Sequence, residues 1–107
     1  MQSQTEAALK ALAQPNRLAI LTLIRVRELP AGEIAERFKT TRSAVSQHLR
    51  VLTNAGLLTE RHVGTKRLYR LRPAGFRGLR RLLDTFWDDK LDRLKAEVEL
   101  EARRRRD

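Results

Sequence analysis

Thr41-Arg42-Ser43-Ala44-Val45-Ser46-Gln47-His48-Leu49-Arg50-Val51-Leu52-Thr53-Asn54-Ala55-Gly56 carries a start signal and a stop signal for one helix. Threonine is a good N-cap because its hydroxyl accepts from one of the first unpaired amides. Glycine takes the left-handed conformation just past a helix terminus. Between these ends Ala44, Val45, His48, Leu49 and Leu52 recur at helical spacing and predict an inward face on a helix running through Asn54. Arg42, Ser43, Ser46, Gln47 and Arg50 are left on the outward side.

Upstream, Ala7, Ala8, Leu9, Ala11 and Leu12 form a short helical start, closed by Pro15, which opens the next helix at its first turn, where a missing N–H costs nothing. Leu18, Ile20, Leu21, Leu23 and Ile24 make that second helix apolar on most sides, which places it in the core. Pro30 opens a third, short helix through Ile34, Ala35 and Phe38, and Lys39-Thr40 reads as a turn. Downstream of Gly56 the period changes. Leu58 to Val63 and Lys66 to Leu71 are β-compatible, and Gly64-Thr65 between them suits a two-residue hairpin turn. Tyr69 and Leu71 alternate onto the face toward the helices. Pro73 begins a long last helix in which Phe76, Leu79, Leu82, Leu83, Phe86, Trp87, Leu91, Leu94 and Val98 run at spacings of three and four.

The predicted fold is mainly α with a small β-hairpin, in the order α-α-α-α-β-β-α, a winged helix-turn-helix. Residues 1–101 form one domain and 102–107 a basic tail. A chain of 107 residues with 41% hydrophobic content is long enough to bury a core and too short for two independent ones. It contains no cysteine, which excludes disulfides, thiolate metal sites and a cysteine nucleophile. No apolar run approaches the roughly 20 residues of a membrane span, and residues 1–6 lack the charged and apolar regions of a signal peptide, so a cytoplasmic protein without membrane association is expected.

The formal charge is +10, from 23 Lys and Arg against 13 Asp and Glu. Its placement matters more than its size. Residues 16–71 hold eleven bases and four acids, and Arg72, Arg77, Arg80 and Arg81 follow. Residues 84–101 then reverse the sign with seven acids and three bases, before the arginine run 103–106. A basic middle implies a polyanionic partner there, double-stranded DNA above all.

Five blocks in order carry a family resemblance: Leu12-Ala13-Gln14-Pro15-Asn16-Arg17-Leu18-Ala19-Ile20-Leu21, Ala31-Gly32-Glu33-Ile34-Ala35, Ala44-Val45-Ser46-Gln47-His48-Leu49-Arg50-Val51-Leu52, Ala55-Gly56-Leu57 and Tyr69-Arg70-Leu71. Over residues 7–95 the chain resembles the ArsR family of bacterial transcriptional repressors. The resemblance implies a dimeric, sequence-specific DNA-binding regulator. It departs from the metal-sensing members, because Glu28-Leu29-Pro30-Ala31-Gly32-Glu33 has no cysteine and the last helix has no histidine. No cofactor is expected, and no effector is named by the sequence.

A helix fits the B-DNA major groove and reaches base edges from its first two turns. Arg42, Ser43, Ser46 and Gln47 are therefore the expected base readers; arginine suits guanine and glutamine adenine. Thr41, Arg50, and the hairpin's Arg61, Lys66 and Arg67 are expected at phosphates, the hairpin acting as the wing does in the proteins this one resembles. His48 is either a half-buried packing residue or a phosphate contact, the latter suggested by the family's Val-Ser-x-His-Leu pattern. Arg17 and Lys39 are either phosphate contacts or ordinary surface residues.

From Pro73 to Val98 the last helix spans 26 residues, about 39 Å at 1.5 Å per residue, more than a domain this size can cover. Leu82, Phe86, Trp87, Leu91, Leu94 and Val98, with Leu9 and Leu12 of the first helix, are thus expected to face a second copy. Two recognition helices related by a two-fold axis lie about 34 Å apart, which implies a palindromic operator. A sequence-independent architectural protein is the alternative reading. Asp84, Asp88 and Asp92 line up at i, i+4, where a hard cation or a solvated acidic face both suit them; no metal site is assigned. Neither histidine has a carboxylate at catalytic spacing and there is no glycine-rich phosphate loop, so no enzyme is expected.

Overall fold

Thr41 caps its helix as the sequence predicts, its Oγ1 accepting from the amide of Ala44 at 3.0 Å. The computed structural model describes residues 3–106, the side chains of Asp88 and Asp89 excepted. Its elements are α1 Gln4–Leu12, α2 Pro15–Ile24, β1 Leu29–Pro30, α3 Ala31–Glu36, α4 Arg42–Asn54, β2 Leu58–Val63, β3 Lys66–Leu71, a 3-10 turn Pro73–Phe76 and α5 Arg77–Arg106. This is the winged helix-turn-helix order, with one strand more than the sequence reading contained.

The end of α4 explains how the chain turns from helix to sheet. Gly56 has φ +79°, and the amides of Gly56 and Leu57 donate to the carbonyls of Thr53 and Leu52, each at 3.0 Å. These are the two bonds of a Schellman motif, and its hydrophobic contact is made by Leu52 and Leu57, both fully buried. The chain leaves this turn directly into β2. Across the hairpin Val63 faces Lys66, so Gly64 and Thr65 form the turn, with positive φ at Gly64 alone. That is the pattern of a II′ turn, whose twist matches the strands.

The additional strand is β1. Leu29 pairs with Tyr69 and Pro30 with Leu68, so β3 is central in the order β1-β3-β2. Two residues have no period to read, and Pro30 looks like a helix opener in sequence. It does precede α3 as its N-cap residue, but it also sits on a sheet edge, where proline is tolerated.

The core gathers Ile20 and Ile24 of α2, Ile34 of α3, Val45, Leu49 and Leu52 of α4, and Leu57 and Leu58 at the start of the hairpin. Tyr69 is buried among them, and Leu71 packs against them, as their alternation predicts. The core expectation for α2 needs correction at Leu18, which is 52% exposed because α1, α4 and β3 cover only the side of α2 that carries Ile20, Leu21 and Ile24.

The last helix packs only at its beginning. A Cβ on Gly75 would lie 1.8 Å from the Gly56 carbonyl oxygen, so that glycine permits close backbone approach, and one on Gly78 would lie 2.1 Å from Thr5 Oγ1, so Gly78 leaves room for the Thr5 side chain. Leu79 is buried, Leu82 is half-buried, and the described residues beyond are exposed. With 30 residues α5 is about 45 Å long and sets the 67 Å long axis of the molecule.

Candidate nucleic-acid interface

Recognition begins with what α4 leaves in water. Arg42, Ser43, Ser46, Gln47 and Arg50 are all exposed along one side of the helix, while Val45, Leu49 and Leu52 anchor the other. The helix that presents the polar side is therefore fixed by the core beneath it. Thr41 spends its oxygen on the Ala44 amide and keeps its hydroxyl hydrogen to donate outward.

His48 is half-buried on the same helix, with Arg17 beside it. Arg17 donates from Nε to the carbonyl of Ala11 at 2.6 Å and from Nη2 to that of Lys10 at 3.3 Å, which places a cation on the carbonyls of the last turn of α1. Its Nη1 approaches His48 Nδ1 at 3.5 Å. Burial, and then the Arg17 charge, hold the His48 imidazole below its ordinary range. A neutral ring that turns Nδ1 toward a guanidinium carries its hydrogen on Nε2.

The wing contains two kinds of cation. Arg61 is held by Glu28, a residue that sequence reasoning left out, through two hydrogen bonds of 2.6 and 2.8 Å. Lys66 and Arg67 are exposed and make no ion pair among the described residues. Next to Arg61, Glu60 accepts from Tyr69 Oη at 3.3 Å and lies 2.9 Å from His62 Nε2, so a second carboxylate ties the hairpin's two strands together. Burial and the Glu60 charge push the Tyr69 phenol up. Glu28 and Glu60 are acids inside a basic segment, and the sheet brings them to Arg61 and Tyr69.

The apolar stripe expected to face a second copy is exposed on α5. Phe86, Trp87, Leu91, Leu94 and Val98 are each 50–60% exposed, and Leu83 and Leu100 join them. Trp87, Leu91 and Leu94 line a shallow groove of about 370 Å³ edged by Lys90, Arg93 and Glu97. Leu9 is 43% exposed, whereas Leu12 and Leu82 are half-buried and Leu12 packs partly against the core. Asp84 and Asp92 are exposed on α5, and the side chain of Asp88 lies outside the described residues. Among the described residues no three His, Cys, Asp or Glu side chains come together as a metal site. No helix among them is long and apolar enough to cross a membrane.

Residues 12–61 match a family model described as a helix-turn-helix domain. The HTH-type transcriptional regulator Rv2034 of Mycobacterium tuberculosis is 44% identical over 82 residues, 77% of this chain and 77% of its own length. A crystal structure described as a possible transcriptional regulator for arsenical resistance shares 48% identity and superposes with a TM-score of 0.72, covering 84% of this chain and 94% of that one. The homodimeric winged helix-turn-helix DNA-binding domain of a possible ArsR-family regulator from Mycobacterium bovis, solved in solution, is 30% identical with a TM-score of 0.65, covering 84% of this chain and 83% of that one.

Proposed function

The chain belongs to the ArsR family of winged helix-turn-helix transcriptional regulators, as a member without the usual cysteine metal-binding motif, and on that premise we propose that it is a homodimeric repressor of a palindromic operator. It is a DNA-binding regulator, not an enzyme. The observation that carries the finer reading is the pairing of two surfaces on one chain. A row of exposed donors and acceptors on a core-anchored helix stands beside a wing whose Lys66 and Arg67 make no ion pair among the described residues, and a separate helix exposes a long apolar stripe.

In this reading Ser43, Ser46 and Gln47 reach base edges, with glutamine's paired amide groups suited to adenine. Arg50, Lys66 and Arg67 hold phosphates, joined by the Thr41 hydroxyl and by Nε2–H of His48. Arg61 joins them when Glu28 lets go. The apolar stripe of α5, with Leu9, Leu12 and Leu82, packs against a second copy, an arrangement that the homodimeric Mycobacterium bovis neighbour supports. The two-fold axis then sets two α4 helices about 34 Å apart, one helical turn of DNA. Residues 1–101 act as the domain, with 102–107 as its basic tail. Repression follows from occupying the operator in competition with transcription.

Selection from a random duplex library tests this. The expected product is an inverted repeat whose half-sites are about 10 base pairs apart, preferred over random duplex by about a thousandfold or more. Uniform recovery of all sequences would point to an architectural coat protein instead, and a monomer at micromolar concentration in equilibrium sedimentation would remove the dimer.

A further inference from the structure

As the first residue of α4, Arg42 has the sequence position of a base reader. Its surroundings suggest another task. Arg42 and Ser46 of α4, Gly32 and Ala35 of α3, and Arg67 of β3 line one cleft of about 180 Å³. The Arg42 chain lies over α3, since Nη2 would be 3.5 Å from a Cβ on Gly32, a contact that the bare glycine leaves open. Two arginines from different elements thus line one space, walled otherwise by Ala31, Gly32, Ala35, Val45 and Ser46. Neither makes a hydrogen bond or an ion pair to another side chain among the described residues. Like charges brought to one cleft without a carboxylate between them repel, and an anion there is attracted by both.

The neighbouring cleft is different in kind. It is lined by Glu33 and Glu36 as well as Lys66 and Arg67, so carboxylates oppose an anion on that side. Arg67 stands at the border of the two, and the Arg42 side is the one that suits a phosphate. At about 180 Å³ the space is also smaller than the roughly 300–1,000 Å³ of pockets that enclose a drug-sized ligand. Arginine's planar fork matches a phosphate's oxygens, and two forks can share one phosphodiester.

We propose that Arg42 and Arg67 clamp a single DNA backbone phosphate between recognition helix and wing, so that Arg42 sets the register of α4 and does not read a base. This rests on the DNA-binding reading above and sharpens it. One phosphate held from both elements fixes the distance between the helix in the major groove and the hairpin beside it. Sequence choice then falls to Ser43, Ser46 and Gln47.

The test is a mutant cycle of the full chain, with R42A, R67A and the double variant, titrated against duplex DNA over a range of salt. Both arginines are exposed, and thermal melting checks that the variants fold. Neutralising one phosphate accounts for about one unit of the slope of log K against log salt, so the double variant is expected to lose about one unit per half-site, about two on a palindromic operator bound by the dimer, with affinity losses well short of additive. Library selection with R42A is expected to return the wild-type sequence. A methylphosphonate at the clamped position of each half-site should reproduce the loss and make R42A and R67A silent. A slope loss of about two units per half-site with additive affinities, or a changed base preference for R42A, would overturn the clamp. Saturable binding of inorganic phosphate that competes with DNA and vanishes in R42A would reassign the cleft to a soluble phosphorylated ligand. If the wild type selects no sequence at all, the repressor reading fails, but the cycle measured on random duplex still decides the clamp.

Discussion

Glu28 grips the Arg61 guanidinium with both oxygens, accepting from Nε at 2.8 Å and from Nη2 at 2.6 Å. The hydrogen bonds from Arg61 hold the Glu28 carboxyl below its ordinary 4.5, aided by the charges of Arg61 and Arg70. A group lowered in the fold stabilises it above its unfolded value and loses that contribution as pH falls through the folded one. The pair is therefore intact at neutral pH and opens only in acid. A paired Arg61 contributes little net charge to a DNA phosphate, so Arg61→Ala should reduce the salt slope of DNA binding by less than Lys66→Ala. Glu28→Gln frees the guanidinium and removes a nearby anion, and should raise affinity for any duplex severalfold at low salt. A gel-shift titration of the three variants checks both; a loss of affinity in Glu28→Gln would mean that the pair positions the wing instead.

Base reading and phosphate holding separate cleanly at Gln47 and Lys66. Gln47→Ala should cost about 1–3 kcal/mol on the preferred operator and relax one position in each half-site. Lys66→Ala should weaken all sequences alike and lower the salt slope by about one unit per half-site. Fluorescence anisotropy on matched and scrambled duplexes measures the two effects.

His48 makes stability depend on pH in a stated direction. Its folded value lies below the ordinary 6.5, through burial first and Arg17 second, so the fold favours the neutral ring. That preference is fully present above pH 6.5 and is lost as pH falls through the folded value. Melting temperature should drop on acidification from pH 7.5 to 5.5, and His48→Gln should flatten that part of the profile. An unchanged slope in the variant would mean that the proton goes elsewhere.

Two glycines predict two different losses. Gly75→Ala drives a Cβ to 1.8 Å from the Gly56 carbonyl, a backbone atom that cannot turn aside, and should cost about 1–3 kcal/mol or more. Gly64→Ala meets nothing within 4 Å and pays only for its φ of +63°, about 1–2 kcal/mol. Urea denaturation of both variants gives the order.

On α5, Leu91 and Leu94 are half exposed or more and contribute little to the core of one chain. Leu91→Glu or Leu94→Glu should shift sedimentation from dimer to monomer without changing the circular dichroism of the isolated chain. Affinity for a palindromic duplex should fall with the dimer, because one half-site then binds alone.

Much of this fold was legible because its signals are local. The Thr41 cap, the Gly56 stop and the Gly64-Thr65 turn each depend on a few adjacent residues, and all appear where the sequence places them. The outward row on α4 follows from its inward one. What escaped depends on residues far apart in sequence. Gln4 Nε2 donates to the Ala55 carbonyl at 3.0 Å, and Glu28 meets Arg61 across 33 positions. No spacing announces either. Arg17 illustrates the same limit: in sequence it suits a phosphate contact or an ordinary surface position alike, and only the position of α1 shows it closing that helix. The convergence of Arg42 and Arg67 on one cleft is likewise a property of packing, not of pattern.

The two-residue strand β1 has an effect out of proportion to its size. It joins the entrance of α3 to β3, which also carries one side of the hairpin, so the wing and the helix-turn-helix are paired through one sheet. A reading head already assembled loses little conformational freedom on docking, and its arrival at DNA is limited by diffusion and by the pull of its charge, not by a slow rearrangement. Added salt should then slow capture more than it hastens release.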